Sequence, residues 1–207
     1  MRYRSLIFDI DGTLWDSRSL VAEGYNRQLQ KEGMADFTIT TQELTGLFGK
    51  VLPEIADILF ARIPAEQRMP LINRCAEAQD RYMHESPCQV GYPGVLDTIR
   101  ELSKRYRLFI VSNSEQGYPE LCMDKLGLTP YFEDHLCYGD THTSKGQTIL
   151  TLIRRCGIED PVYIGDTQGD YEATLEAQVP FIWASYGFGT PEGYTHKIEK
   201  ISDLLNL

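Results

Sequence analysis

The chain has 207 residues, 42% hydrophobic and 24% charged, and its 30 acidic against 20 basic side chains leave a formal net charge of −10. That much apolar material offsets chain entropy, which excludes disorder over most of the length. The acidic balance argues against nucleic acid, whose phosphates need Lys and Arg gathered on one face, and no window reaches the ~18 apolar residues of a membrane span. The first apolar run is stopped by Asp9, too soon for a signal peptide, so a cytoplasmic protein is expected. Cys75, Cys88, Cys122, Cys137 and Cys156 are odd in number and widely spaced. They fit neither a disulfide framework nor a zinc pattern, and read as buried reduced thiols.

Short apolar runs alternate with helical patterns along most of the chain. Strands are predicted at Leu6–Ile10, Arg107–Ser112, His135–Tyr138, Pro161–Gly165 and Val179–Trp183, with helices over Val95–Arg105, Tyr118–Leu126, Gln147–Cys156 and Gln168–Ala177. Continuous apolar runs of this length suit strands buried on both faces, and their alternation with helices predicts a parallel, doubly wound α/β sheet. Residues 16–88 break the alternation. Val21, Tyr25 and Leu29 recur at helical spacing, Pro53 suits the first turn of a helix reaching about Ala61, and a longer helix is expected over Ala65–Glu85. The predicted division is therefore an α/β core from 1–15 and 89–207 with a helical insertion from 16–88.

Polar groups collect where the predicted strands end, which is where α/β sheets place their sites. The first strand runs into Asp9-Ile10-Asp11-Gly12-Thr13, and alternation along an extended segment puts Asp9 and Asp11 on one side. Two such carboxylates can divide the work of nucleophile and proton carrier, or share a cation. The second strand ends in Ser112-Asn113, donors suited to a phosphate oxygen, and the fourth in Gly165-Asp166-Thr167-Gln168-Gly169-Asp170. Lys145 lies between the third and fourth strands. Four carboxylates at one edge would repel without a divalent cation; Mg²⁺, which takes a few carboxylates with waters and a substrate phosphate, fits. Phosphoryl transfer to a carboxylate is the chemistry such a set suits.

Asp9-Ile10-Asp11-Gly12-Thr13-Leu14, Val111-Ser112-Asn113, Lys145 and Gly165 to Asp170 resemble, in this order, the four motifs of the haloacid dehalogenase-like superfamily. The likeness covers essentially the whole chain. It is to phosphatase-type members with a helical cap inserted after the first motif, phosphoglycolate phosphatase-like proteins among them. The resemblance implies a three-layer, Rossmann-like core and a Mg²⁺-dependent phosphatase acting on a small phosphorylated metabolite. Asp9 would attack phosphorus and carry an aspartyl-phosphate. Asp11 would protonate the leaving oxygen and later activate water. Ser112 and the Asn113 backbone would hold phosphoryl oxygens, and Lys145 would stabilise the charge on Asp9 and the phosphate. Asp166 would bind Mg²⁺ with Asp9 and the Asp11 carbonyl, supported by Asp170.

Two positions depart from the family pattern. Gly146 follows Lys145 where many members have proline, and Gln178 follows Ala177 where glycine is usual. Lys125 competes with Lys145 for the lysine role, but sits where a helix end welcomes a cation. Lys50, in Gly46-Leu47-Phe48-Gly49-Lys50 of the insertion, could meet a second anionic group of the substrate, and reads equally well as a surface lysine beside a helix start. His142 reads as a solvated loop residue; His84, His135 and His196 form no ligand spacing. Tyr186-Gly187-Phe188-Gly189 lacks the strand–helix context of a nucleotide cradle and is read as a loop at the rim of the site. A phosphomutase of the same fold is the alternative enzyme. A catalytically idle binding protein would have lost the nucleophile or the metal aspartate, and neither is lost. A sugar phosphate, phosphoglycolate, a nucleoside monophosphate or a phosphorylated cofactor would each fit as substrate, and no motif sets an oligomeric state.

Overall fold

The apolar runs become strands because each can be covered on both sides. The computed structural model describes residues 3–34 and 36–207. Its strands are β1 (Ser5–Phe8), β2 (Arg107–Ser112), β3 (Asp134–Cys137), β4 (Pro161–Gly165), β5 (Phe181–Ala184) and β6 (His196–Ile198). They form one parallel sheet in the order β3-β2-β1-β4-β5-β6. Ile7, Phe109, Val111, Tyr163 and Phe181 pack with Ile149, Leu152, Ala173 and Ala177 into one core cluster. The alternate residues Leu6, Phe8, Leu108, Ile110, Val162 and Ile164 are fully buried as well, so helices and loops flank both faces. Each such side chain contributes about 1.5–3 kcal/mol by leaving water. The sixth strand has no sequence signal: His196 and Lys197 are exposed, and only pairing with β5 makes the segment a strand.

The sheet order sets where a site can form. From β1 the chain moves outward to β2 and β3, then returns to β4 on the other side of β1. A crevice opens beyond the C-terminal ends of strands at such a switch point, here those of β1 and β4. Phe8 pairs with Ile110 of β2 and Ile164 of β4. Asp9, Ser112 and Asp166 therefore all lie one or two residues past those pairs, at the same edge.

The chain divides into two compact units, one of Met1–Asp16 with Gln89–Leu207, the other Ser17–Cys88. The second contains α1 (Arg18–Lys31), α2 (Thr41–Thr45), α3 (Leu52–Leu59) and α4 (Ala65–Glu85). Val21, Tyr25 and Leu29 of α1 and Ile72, Cys75 and Met83 of α4 are buried, as helical spacing predicts. The short α2 was not anticipated; Thr40 and Glu43 start it with a reciprocal capping box. The first unit carries α5 (Val95–Leu102), α6 (Tyr118–Leu126), α7 (Tyr138–Thr141), α8 (Lys145–Cys156) and α9 (Gln168–Ala177). Among the described residues no helix is long and apolar enough to cross a membrane. All five cysteines are free; Cys88 is exposed rather than buried, and Cys156 half-buried.

Helix α9 ends on Gln178 in the left-handed region, with φ of 56°. That conformation costs a residue with a Cβ about 1–2 kcal/mol, a strain its sequence position foreshadowed. Gln178→Gly should therefore stabilise the protein by about 1 kcal/mol, a rise of roughly 2–4 °C in Tm. Thermal unfolding of the pair checks this, and an unchanged or lower Tm contradicts it.

Candidate active site

Asp9 follows β1 directly, and its amide still donates to the Ile164 carbonyl at 2.8 Å, which carries the sheet one step further. Its carboxylate is buried beside Lys145, whose Nζ lies 2.7 Å from Asp9 Oδ1 and 2.6 Å from Asp170 Oδ1. Lys145 is the first residue of α8, capped by Ser144. A cation at a helix N-terminus opposes the macrodipole; the two carboxylates offset that cost. The helix begins two residues earlier than its apolar pattern suggests, and this brings the ammonium under the sheet edge. Gly146 has its own reason: a Cβ there would lie 2.7 Å from the Cβ of Glu176 on α9.

Asp170 holds the far side. It completes a capping box with Thr167 at the start of α9. Its Oδ2 accepts from the amides of Asp166 and Thr167 at 3.1 and 3.0 Å and from Thr167 Oγ1 at 2.7 Å. Its Oδ1 takes Lys145 and, at 3.3 Å, the Tyr163 hydroxyl. Both oxygens are thus occupied by donors. Asp166 differs: Oδ2 accepts from the Phe188 amide at 2.6 Å, while Oδ1 is buried with no hydrogen-bond partner. Gly187 makes that approach possible, since any Cβ there would collide with Asp166.

Ligand oxygens of Asp9, Asp166 and Asp170 lie within 4.8 Å of one another. Burial pushes the Asp9 carboxyl up to about 7, with Lys145 opposing the rise and Asp170 adding to it. Burial, reinforced by Asp170 and Asp9, drives Asp166 well above the ordinary carboxylate range. Burial pushes Asp170 up, but the Lys145 ammonium and the hydrogen bonds from Lys145 and Thr167 outweigh it, so Asp170 ends lowered. Lys145 is raised well above its usual value: burial disfavours its charge, but Asp170 and Asp9 more than compensate. With all three ionised, the carboxylates would exceed the one ammonium by two negative charges in a place that cannot solvate them. A divalent cation cancels that excess and supplies the partner Asp166 Oδ1 lacks, so the residues present fit Mg²⁺.

The structure brings together Asp9, Lys145, Asp166 and Asp170. The convergence is of three carboxylates rather than four: Asp11 Oδ1 accepts instead from Trp15 Nε1 and the Tyr118 hydroxyl, each at 2.9 Å. The chain leaves extended geometry after β1, so strand alternation no longer governs where Asp11 points. Ser112 ends β2 with its hydroxyl accepting from the Ser114 amide at 3.2 Å, and Asn113 follows, half-buried. Lys50 belongs to the helical unit, where its ammonium sits 3.8 Å from Glu54 at i,i+4 spacing. Lys125 lies in the last turn of α6 and His142 is exposed at the end of α7. Sequence reasoning missed Tyr163, Thr167 and the Phe188 amide. Thr167 and Asp170 carry the spacing of a capping box, a signal that was available; Tyr163 is hidden in an apolar strand.

A family model described as haloacid dehalogenase-like hydrolase matches residues 6–184. The chain belongs to the haloacid dehalogenase-like hydrolase family. Among relatives of this family, a phosphoglycolate phosphatase of Agrobacterium fabrum is 30% identical over 88% of this chain and 80% of its own length. A phosphoglycolate phosphatase of Cereibacter sphaeroides is 30% identical over 92% of this chain and 86% of its own. A predicted phosphatase from Clostridium acetobutylicum shares the fold, with a TM-score of 0.82 at 20% identity over 99% of each chain.

Proposed function

We propose that this phosphoric monoester hydrolase of the haloacid dehalogenase-like family is a Mg²⁺-dependent phosphatase that cleaves a small phosphorylated metabolite through an aspartyl-phosphate on Asp9. The carrying observation is the buried Lys145, held between Asp9 and Asp170 beside an Asp166 oxygen with no partner. Lys145 pins Asp9 Oδ1, which orients Oδ2 to attack phosphorus. Ser112 and the Asn113 backbone hold phosphoryl oxygens, and Lys145 offsets the charge that gathers on them. Asp166 and Asp9 would hold Mg²⁺, with the Asp11 carbonyl, while Asp170, its oxygens already occupied, fixes Lys145 and the turn into α9. When bound, Mg²⁺ draws charge from the phosphoryl oxygens. Asp11 gives a proton to the leaving oxygen and takes one back from the hydrolytic water. The names of the relatives make phosphoglycolate the first substrate to try. The resemblance also gives substrate choice to the helical insertion, with Lys50 its candidate cation.

Phosphate release across a panel of phosphoglycolate, sugar phosphates and nucleoside monophosphates tests this reading. Turnover is expected with Mg²⁺ and is lost with chelator. Turnover that survives chelation removes the metal from the mechanism. Mg²⁺ with a phosphate-mimicking anion should also raise the Tm of the wild type, by a stabilisation of about 2.7 kcal/mol at a hundred times Kd. Asp166→Asn, deprived of the charge that holds the cation, should show little of that shift.

A further inference from the structure

We propose that Tyr118 and Trp15 are positioning residues that hold the Asp11 carboxyl by Oδ1 and so orient the acid that exchanges a proton with the substrate. The inference rests on the phosphatase reading and adds two residues to it.

Trp15 Nε1 and the Tyr118 hydroxyl both reach Asp11 Oδ1, each at 2.9 Å. Two donors converging on one oxygen fix both the position and the plane of the carboxyl. A half-turn of the carboxyl would exchange the two oxygens, and it would have to break both bonds. The donors are themselves held. Trp15 is fully buried, its carbonyl accepts from the Gly12 amide at 2.9 Å, and its ring meets the Tyr118 ring edge-on at 5.5 Å. Tyr118 is 7% exposed and opens α6, between a left-handed Gly117 and Pro119 at the second helical position. A tyrosine and a tryptophan spend little entropy in holding such a geometry, because each has only two side-chain torsions.

In the first step the Asp9 oxygen forms a bond to phosphorus and the bond from phosphorus to the substrate oxygen breaks, its electron pair staying on that oxygen. The carboxyl hydrogen of Asp11 passes to it, the alcohol leaves, and Asp11 remains a carboxylate. In the second step a water oxygen bonds to phosphorus and gives a proton to the Asp11 carboxylate. The bond from phosphorus to Asp9 breaks, releasing phosphate and restoring the Asp9 carboxylate. An alkoxide needs that proton to leave, whereas p-nitrophenolate departs largely without it.

The test compares kcat/KM for an alkyl phosphate and for p-nitrophenyl phosphate in wild type, Tyr118→Phe, Trp15→Phe and Asp11→Asn. Tyr118→Phe keeps the ring and removes the donor; its loss on the alkyl ester should exceed its loss on the nitrophenyl ester by about ten-fold, a fraction of the ~10²–10⁴ of general acid catalysis. Trp15→Phe should show the same selectivity and Asp11→Asn a larger one. Equal losses on the two esters, or none, would mean the aromatic pair only packs there, and overturns the proposal while the phosphatase reading stands. A wild type that hydrolyses neither ester, or whose turnover survives Asp9→Asn, overturns both.

Discussion

Asp9→Asn is expected to lower kcat by at least about a thousand-fold, because the amide cannot form the aspartyl-phosphate and the remaining groups only bind and polarise. The same substitution should stabilise the metal-free protein above neutral pH. Burial raises the Asp9 carboxyl from 3.8 to about 7, so the folded chain holds this proton more tightly than the unfolded chain does. The stability it contributes is present in full below 3.8 and is lost as pH rises through about 7. Asn carries no such charge. In chelator, the Tm of the variant minus that of wild type should therefore climb as pH goes from 4 to 8, and Mg²⁺ should shrink the difference by giving the wild-type carboxylate its partner. A difference that stays flat across that range would mean the carboxylate is not held against its solvation. Loss of function with gain of stability is the mark of a group kept in place for chemistry.

Lys145→Met is expected to be damaging twice over. Its ammonium lies 2.7 Å from Asp9 Oδ1 and 2.6 Å from Asp170 Oδ1, with all three groups buried. Removing it leaves two carboxylates without a counter-charge, which costs about 3–5 kcal/mol in the metal-free protein, or roughly 10 °C in Tm. Activity should fall at least about a hundred-fold, since among the described residues Lys145 is the cation that faces Asp9 and can offset the charge on the transferring group. Adding Asp170→Asn to Lys145→Met removes one of the abandoned charges, and should restore part of the Tm and none of the turnover. Phosphate release and thermal melts of the two variants decide it. A Lys145→Met protein as stable as wild type would show that the buried pairs contribute nothing.

Asp9, Ser112 and Asp166 could be found in the sequence because each closes a short apolar run. A run buried on both faces must be a sheet strand, and strand ends at a switch point are where polar groups can face a ligand. Lys145 was found only by its order among the motifs; its apolar helix pattern starts later, at Gln147, and nothing local says which way the ammonium turns. Asp11 shows the limit of local rules. Alternation placed it beside Asp9, but β1 ends at Phe8, and the carboxylate goes to Trp15 four residues on and to Tyr118 on α6.

The sequence by itself determined the parallel α/β class, the helical insertion and the residue types able to do phosphoryl chemistry. Those follow from periodicity and composition, which act over a few residues. Only the tertiary structure decided the pairing of Lys145 with Asp9 and Asp170, the Tyr163 hydroxyl on Asp170, the Phe188 amide on Asp166 and the short strand β6. These contacts join segments up to 136 residues apart. Each becomes favourable only once the sheet has closed, excluded water and fixed the distances between groups whose charges would otherwise be screened.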